Sequence, residues 1–411
     1  MNLWRDPKAR LVLSANFLLV VGAGITFMAV PWLLIQQPNG QSIFGSANAL
    51  LTLVIFLLLP YLGKAVDRNS RKAVILAYFG FAIAIDLFVI AALLVQGHVE
   101  VWNLLTVFCL GSLGATVYYP AQFAFNQEIF ARNQYEALSG AIEIQWQAGA
   151  MIAGALGALL VGRVPLTAIL LLDTFAYVSG LCLIALVPYQ RAVSSQGGND
   201  RSAWKMMLQG IEYLRQRPRL SLIIFSSFLP FVGLMVANYL APIFVKNTLT
   251  AGPEVYGIGE ATYAFGAIVA GLTIPSLNGR IGLIPTLLIT VGVFTLAAAA
   301  MPSFPSVLTF WIAFSFQGWG NAGSRVARSI LVLETVPNEV VGRVNLFYSA
   351  LERLLRAILL TVATWQVAVG GPKSAYWLIA VISLVGWLLI LACRHARMFP
   401  VASKFKIEEA Q

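Results

Sequence analysis

The stretch GKAVDRNSRK, from Gly63 to Lys72, lies between two long apolar segments and decides how the chain is built. Half of its residues are charged, whereas the flanking segments, 43–63 and 73–96, are almost entirely apolar. Each segment is long enough to cross a bilayer, since about 20 apolar residues in an α-helix span the hydrocarbon core. A short charged loop between two such segments predicts a helical hairpin in a membrane.

The same alternation continues along all 411 residues. The chain is 59% hydrophobic and 11% charged, which leaves too little polar material to coat a soluble globule. We therefore predict an all-α polytopic membrane protein with twelve transmembrane helices. The predicted spans are 11–36, 43–63, 73–96, 101–125, 138–162, 165–188, 220–245, 254–279, 281–301, 305–328, 344–369 and 373–393.

The longest polar segment divides these spans into two groups of six. It opens with SSQGGND and ends with RQRPR. We predict an N-terminal half at 1–188, a linker at 189–219, a C-terminal half at 220–393 and a cytoplasmic tail at 394–411. Within the linker, apolar residues recur at helical spacing beside charged ones, which indicates an amphipathic helix lying on the surface. These apolar residues are Trp204, Met207, Leu208, Ile211 and Leu214.

Positive charge is distributed unequally between alternate loops. Most of the 27 Lys and Arg residues fall before the first span, in the even-numbered loops or in the C-terminal tail. Because positively charged loops stay in the cytoplasm, both termini are predicted to be cytoplasmic. The net charge of +10 then reflects loops that face an anionic lipid leaflet, so membrane lipid is a predicted partner and nucleic acid is not.

Several kinds of chemistry have no support in the sequence. The three cysteines lie in apolar stretches without CxxC spacing, and there are only two histidines, so we expect no metal site. No GxxxxGK[ST] element is present to hold a nucleotide. We expect no cofactor, no enzymatic activity and a monomer that works without ATP.

The charged loop after the second span resembles the GxxxDRxxRR signature of the major facilitator superfamily. The matching residues are Gly63, Asp67, Arg68, Arg71 and Lys72. The resemblance implies a carrier of two six-helix halves that works by alternating access, with this loop holding the halves together on the cytoplasmic side. The alternative is a basic loop that only sets the orientation of the helices.

Two further segments resemble one branch of that superfamily. PAQFAFNQEIFARNQYEA, from Pro120, and LETVPNEVVGRVN, from Leu333, look like loops of macrolide-efflux and enterobactin-export proteins. This likeness implies proton-coupled export of a small organic molecule, a drug-like compound or siderophore, across a bacterial inner membrane. The first segment also resembles lysophospholipid transporters, so lipid flipping is one alternative. A membrane sensor or scaffold without transport is another.

The chain departs from the superfamily's exporters in two places. Span four lacks the arginine that many proton antiporters carry, and span five reads GAMIAGALGALL at 149–160 without the usual proline. The remaining small residues of span five predict close packing against another helix.

Acidic residues inside spans are candidates for proton coupling, because charges in a membrane are costly and are usually functional. The resemblance places Glu143 and Glu260 on spans beside the central cavity, where a carboxyl group could gain and lose a proton as access alternates. It places Asp86 and Asp173 on peripheral spans, so a structural role is the alternative for these two. Glu143 lies near the cytoplasmic end of its span and could instead pair with Arg68.

Span eleven carries three charged residues. Glu352 and Arg356 are four residues apart and are predicted to form an ion pair along the helix. Arg353 is then free to bind an anionic group of the substrate, or to extend toward the cytoplasm. Polar and aromatic residues of other spans complete the substrate-binding candidates. They are Asn16, Tyr119, Gln122, Trp146, Asn238, Tyr239, Gln317, Trp319 and Asn321.

Overall fold

A computed structural model describes residues 6–131, 134–189 and 203–394, apart from a few side chains within helices. These residues form α-helices without a named strand, as expected. The helices are α1 (Pro7–Leu34), α2 (Gly40–Arg68), α3 (Arg71–Gln96), α4 (Val101–Ile129), α5 (Tyr135–Leu160), α6 (Leu166–Ala185), α7 (Ala203–Arg215), α8 (Pro218–Asn247), α9 (Pro253–Ile281), α10 (Leu283–Ser303), α11 (Val307–Thr335) and α12 (Asn338–Cys393).

The last helix, α12, is two helices joined at a break. Gly371 has a φ of 75°, which glycine adopts without strain, and Pro372 follows it. The two arms of α12, 338–370 and 372–393, correspond to the last two predicted spans. Counting them separately, the described residues contain twelve helices of membrane length and the short α7. The predicted all-α architecture is therefore confirmed.

Nine helices of the described chain, with α12 counted once, are both long and apolar enough to cross a membrane. Two long helices, α5 and α11, are less apolar than these nine. Both carry polar residues in their interior, such as Gln147 in α5 and Asn321 in α11. Their packing explains this composition, because both helices contribute to the polar cavity described below.

The packing defines two groups of helices. In the first, α1 packs on α5 and α6, and α3 packs on α4 and α6. In the second, α8 packs on α12, α9 on α11, and α10 on α11 and α12. The amphipathic α7 lies against the second group. There the Tyr213 hydroxyl donates to the carbonyl of Thr335 at 3.2 Å, and the Leu214 side chain is buried.

The two groups touch mainly at one face of the molecule. We call the face at which α1 begins the proximal face and the opposite one the distal face. Toward the distal face, buried apolar side chains of both groups form one cluster, which includes Trp32, Phe44, Tyr239 and Tyr256. Toward the proximal face, each group has a separate cluster of its own. The halves are therefore joined distally and diverge proximally.

Glycines allow a close approach between α5 and α9 of the two halves. A Cβ atom on Gly154 of α5 would lie 2.8 Å from the carbonyl oxygen of Gly257 in α9, and one on Gly257 would lie 2.6 Å from the oxygen of Gly154. Side chains larger than hydrogen would push these backbones apart. The small-residue face predicted in span five thus forms the contact between the halves.

Candidate functional site

A cavity of about 640 Å³ lies between the two halves. Helices of both halves line it, and the shared apolar cluster closes it toward the distal face. Among the lining side chains, Tyr119 is 44% exposed and Trp146 is 37% exposed. Because the two halves share an apolar cluster only toward the distal face and have separate clusters toward the proximal face, the cavity is reached from the proximal side.

One wall of the cavity carries two adjacent carboxyl groups. Asp86 of α3 and Asp173 of α6 are both buried and both line the cavity, although these helices were expected to be peripheral. Thr174, the neighbour of Asp173 in the chain, donates its hydroxyl to Asp86 Oδ2 at 3.4 Å. Among the described residues, Asp173 Oδ1 has no hydrogen-bond partner. Gly22 leaves room for it, because a Cβ there would lie 3.2 Å from this oxygen.

A row of aromatic rings leads from these carboxyl groups along the same wall. Successive ring centroids, from Tyr177 to Tyr78, Tyr118, Tyr119 and Trp146, are separated by 5.9, 4.9, 5.5 and 5.3 Å. Aromatic pairs at these separations contribute packing energy beyond buried area. The Tyr118 hydroxyl also donates to Asn16 Oδ1 at 2.7 Å, which fixes the row against α1.

Glu260 lies where the two halves meet. It lines the cavity from α9, and its Cβ would be 3.3 Å from a Cβ placed on Gly154 of α5. Its Oε1 atom is buried and has no hydrogen-bond partner in the part of the chain that the structure describes. A carboxyl group in this position is in contact with the opposite half, so its protonation can influence how closely the halves approach.

Glu143 occupies a different environment. Its Oε1 atom lies 3.3 Å from Arg325 Nη2 of the other half and accepts a hydrogen bond from Gln147 at 3.0 Å. The two ionic side chains are 56% and 42% exposed. Glu143 therefore pairs across the cavity with Arg325, while the side chain of its expected alternative partner, Arg68, lies outside the described residues.

The wall formed by the second half carries four arginines. Arg325 and Arg328 are three residues apart on α11, and Arg353 and Arg356 are three apart on α12, so each pair shares a helix face. Together with Glu352 they surround a side cavity of about 320 Å³. Placing an arginine at the centre of a spanning helix costs about 2.5 to 3.5 kcal/mol on insertion scales, so four such residues require a reason.

Glu352 and Arg356, which were predicted to form an ion pair, do not approach within 4.0 Å in this structure. Among the described residues, no lysine or arginine lies within 4.0 Å of Glu352, and its Oε1 has no hydrogen-bond partner. Arg356 instead points toward α2, with Nη2 3.5 Å from Asn48 Oδ1. The spacing of four residues permits a contact with Glu352, but Asn48 of α2 provides a competing acceptor for Arg356.

Arg328 is held by its own half. Its guanidinium lies 3.7 Å from the centroid of the Phe228 ring, and Nη1 donates to the carbonyl oxygen of Ser227 at 2.9 Å. The stacking and the hydrogen bond fix the side chain with its remaining donors toward the side cavity.

The other substrate-binding candidates divide into two sets. Tyr119, Trp146, Asn238, Asn321 and Arg353 line the central cavity. The others lie outside that lining, and several are engaged elsewhere. They are Asn16, which binds Tyr118; Tyr239, whose hydroxyl donates to the Gln41 carbonyl; Gln317, 3.1 Å from Met301 Sδ; Trp319, which donates to Thr273; and Gln122.

The charged loop at Gly63–Lys72 is only partly described. The backbone of α2 continues through Gly63 to Arg68, but the side chains of Asp67 and Arg68 lie outside the described residues. Lys72 Nζ donates to the carbonyls of Ala185 and Val187 at the end of α6. These contacts remain within the first half.

Arg71 also contacts the first half. Its Nε atom lies 4.0 Å from Glu128 Oε1 at the end of α4. Glu128 accepts a hydrogen bond of 2.6 Å from Tyr189. Burial, followed by this hydrogen bond to Glu128, raises the pKa of Tyr189, so the phenol stays protonated and donates at neutral pH.

Sequence reasoning missed Arg325 and Arg328 as cavity residues. Both lie in the last turn of the tenth predicted span, 305–328, and were not considered as cavity residues, whereas α11 continues past them to Thr335. The repeated Arg-x-x-Arg spacing on α11 and α12 is the signal that could have identified them. In the part of the chain that the structure describes, no group of three or more His, Cys, Asp or Glu side chains is placed to hold a metal ion.

Comparison with known proteins gives the relatives of this chain. The sequence model of the Major Facilitator Superfamily matches residues 12–249 and 223–408. Macrolide efflux protein A of Streptococcus pyogenes is 22% identical over 352 residues, which cover 84% of this chain and 83% of that protein.

Solved structures share the fold. A bacterial homologue of the iron transporter ferroportin, in an inward-facing state, has a TM-score of 0.74 at 17% identity, covering 96% of this chain and 100% of that one. The nucleoside transporter NupG has a TM-score of 0.70 at 16% identity, with coverage of 96% and 100%.

Proposed function

The chain belongs to the Major Facilitator Superfamily, and on that premise we propose that it exports a small organic molecule by alternating access, driven by protons. Membrane transport follows from the family and the fold. The observation that carries the proposal is the central cavity, closed at the distal face and reached from the proximal side, with carboxyl groups in its walls. Export is favoured by the likeness to macrolide efflux protein A.

We propose further that the proximal face is cytoplasmic and that the membrane is a bacterial inner membrane. The excess of Lys and Arg before α1, in alternate loops and after α12 supports this orientation. The structure would then correspond to the state that loads substrate from the cytoplasm. The similarity in shape to an inward-facing structure agrees with this assignment.

Protons supply enough free energy for such export. One proton moving down about 100 mV and one pH unit provides about 3.7 kcal/mol, which supports a substrate gradient of roughly 500-fold. Glu260, Asp86 and Asp173 are the proposed carriers because they are buried in the cavity walls. Among the described residues, no lysine or arginine lies within 4.0 Å of any of them. Glu143 is the fourth candidate.

Proteoliposomes that contain the purified protein test this proposal. With a proton gradient imposed, transport would be measured for three drug-sized fluorophores, one cationic, one neutral and one anionic. We expect at least one to accumulate, and we expect a protonophore to abolish the accumulation. Failure of all three to move, with correctly inserted protein, would contradict the proposed function.

Carboxylate variants identify the coupling group. Glu260→Gln, Glu143→Gln, Asp86→Asn and Asp173→Asn would each be compared with Glu254→Gln, an exposed acidic residue in the first turn of α9. Loss of proton-driven accumulation with retained substrate exchange is expected for a coupling residue, because exchange requires no net proton movement. Proton-driven transport that is unchanged in all four variants would exclude these residues from coupling.

A further inference from the structure

The four cavity arginines, Arg325, Arg328, Arg353 and Arg356, carry more positive charge than the described acidic side chains around them neutralise. Arg325 has a partner in Glu143 across the cavity. The other three share Glu352, which approaches none of them within 4.0 Å among the described side chains. Three guanidinium groups and one carboxylate leave an excess of two positive charges around the side cavity.

Arginine differs from the acidic residues of the opposite wall in how it can lose its charge. A buried carboxyl group becomes neutral by taking up a proton, so Asp86 and Asp173 need no ligand. A guanidinium group remains protonated in proteins. The positive charges of the cavity arginines can therefore be neutralised only by an anion, whereas Asp86 and Asp173 become neutral by taking up protons.

Unused hydrogen-bond donors lie in the same place. The Nε atoms of Arg353 and Arg356 are buried and have no acceptor among the described residues. Phe228 and the carbonyl of Ser227 hold the Arg328 guanidinium in place, so its remaining N–H donors are already oriented. Planar guanidinium groups bind carboxylate and phosphate through paired hydrogen bonds, which matches donors supplied from two neighbouring helices.

The side cavity opens from the central one. Phe231, Arg325, Arg353 and Arg356 line both. A molecule in the central cavity can therefore place an anionic group in the side cavity while its apolar part lies against Phe231 and Phe314. Resting on the proposed transport function, we propose that Arg328, Arg353 and Arg356 form the site that binds a carboxylate or phosphate group of an organic anion, which is the exported substrate.

Binding of defined probes to the full-length protein in nanodiscs tests this proposal. The probes are carboxyfluorescein as a soluble organic anion, lysophosphatidylglycerol as an anionic lipid and rhodamine 123 as a cation. We expect carboxyfluorescein or the lysolipid to bind more tightly than rhodamine 123. Which of the two anions binds distinguishes a soluble substrate from a lipid headgroup, and tighter binding of the cation would overturn the proposal.

Substitutions locate the site. Arg353→Gln and Arg356→Gln should each weaken binding of the preferred anion by roughly tenfold or more, because a charge-assisted contact is lost. Arg353→Lys should recover part of the affinity, since it restores charge without the planar fork. Arg280→Gln, which alters an exposed arginine at the end of α9, should bind as the unaltered protein does.

Two controls keep the result interpretable. Thermal unfolding and gel filtration would confirm that each variant folds, and rhodamine 123 binding would report on the rest of the cavity. Equal anion affinity in folded Arg353→Gln, Arg356→Gln and Arg280→Gln proteins would overturn the proposed site. If the proteoliposomes transport only neutral or cationic fluorophores, the anion site is refuted while the transport function stands.

Discussion

Adding one methyl group at Gly257 should shift the protein away from the conformation described above. The new Cβ would lie 2.6 Å from the Gly154 carbonyl oxygen and 2.7 Å from the Ala158 backbone nitrogen, and neither backbone atom can rotate away. The helices would have to separate by roughly 0.7 Å to restore a carbon–oxygen contact of about 3.3 Å. This strain exists only while α5 and α9 are packed at the distal face.

The size of the effect follows from overpacking. Extra methyl groups in close-packed sites cost about 1 to 3 kcal/mol. Because the cost falls on the distally closed state alone, the ratio of closed to open states should fall by about 5- to 150-fold. Gly271→Ala is the matched control on the same helix, since a Cβ there has no atom within 4 Å.

Distances between spin labels on the two halves would measure this shift. The labels would be attached at Gln36 and Asn247, which are exposed at the distal ends of α1 and α8. Both positions are next to the contact between Lys246 and Ile35. Cys109, Cys182 and Cys393 would be removed first. We expect a short distance in the unaltered protein and in Gly271→Ala, and a longer one in Gly257→Ala. Identical distance distributions for the two alanine variants would refute the reasoning.

Two other contacts between the halves give further predictions. Lys246→Met removes the 3.0 Å hydrogen bond from Nζ to the carbonyl of Ile35 and should destabilise the distally closed state by about 1.5 kcal/mol or more, seen as a longer distal distance in the same experiment. An unchanged distance would contradict this. For Glu143 and Arg325, a double-mutant cycle of thermal unfolding should give only about 0.2 to 1 kcal/mol, because both side chains are largely exposed. A much larger coupling would indicate a closed, drier cavity.

The fold could be predicted from the sequence because a chain that crosses lipid must satisfy its backbone hydrogen bonds internally, which an α-helix does. Apolar runs such as 73–96 must be helices of membrane length, and their ends agree with α3 (Arg71–Gln96). The break at Gly371 followed from the same pattern, since an apolar run twice the membrane thickness must reverse direction. The glycines of span five predicted a close contact, although their partner Gly257 lies about a hundred residues away.

The candidate site was less accessible because it depends on the rotation of each helix. The resemblance to the superfamily placed Asp86 and Asp173 on peripheral helices, and hydropathy does not determine which side of α3 or α6 faces the cavity that both residues line. Arg325 and Arg328 were placed at the end of the tenth predicted span because basic residues normally end a span. In the structure a polar cavity accommodates their charges, so the helix continues past them.

The polarity of transport tests the central proposal most directly. Metabolites would be profiled in cells and medium for paired cultures with and without the protein, each with and without a protonophore. The account predicts at least one organic compound enriched in the medium and depleted in cells when the protein is present, with the difference lost when the proton gradient is collapsed. Enrichment in the cells, or identical profiles in the paired cultures, would contradict it.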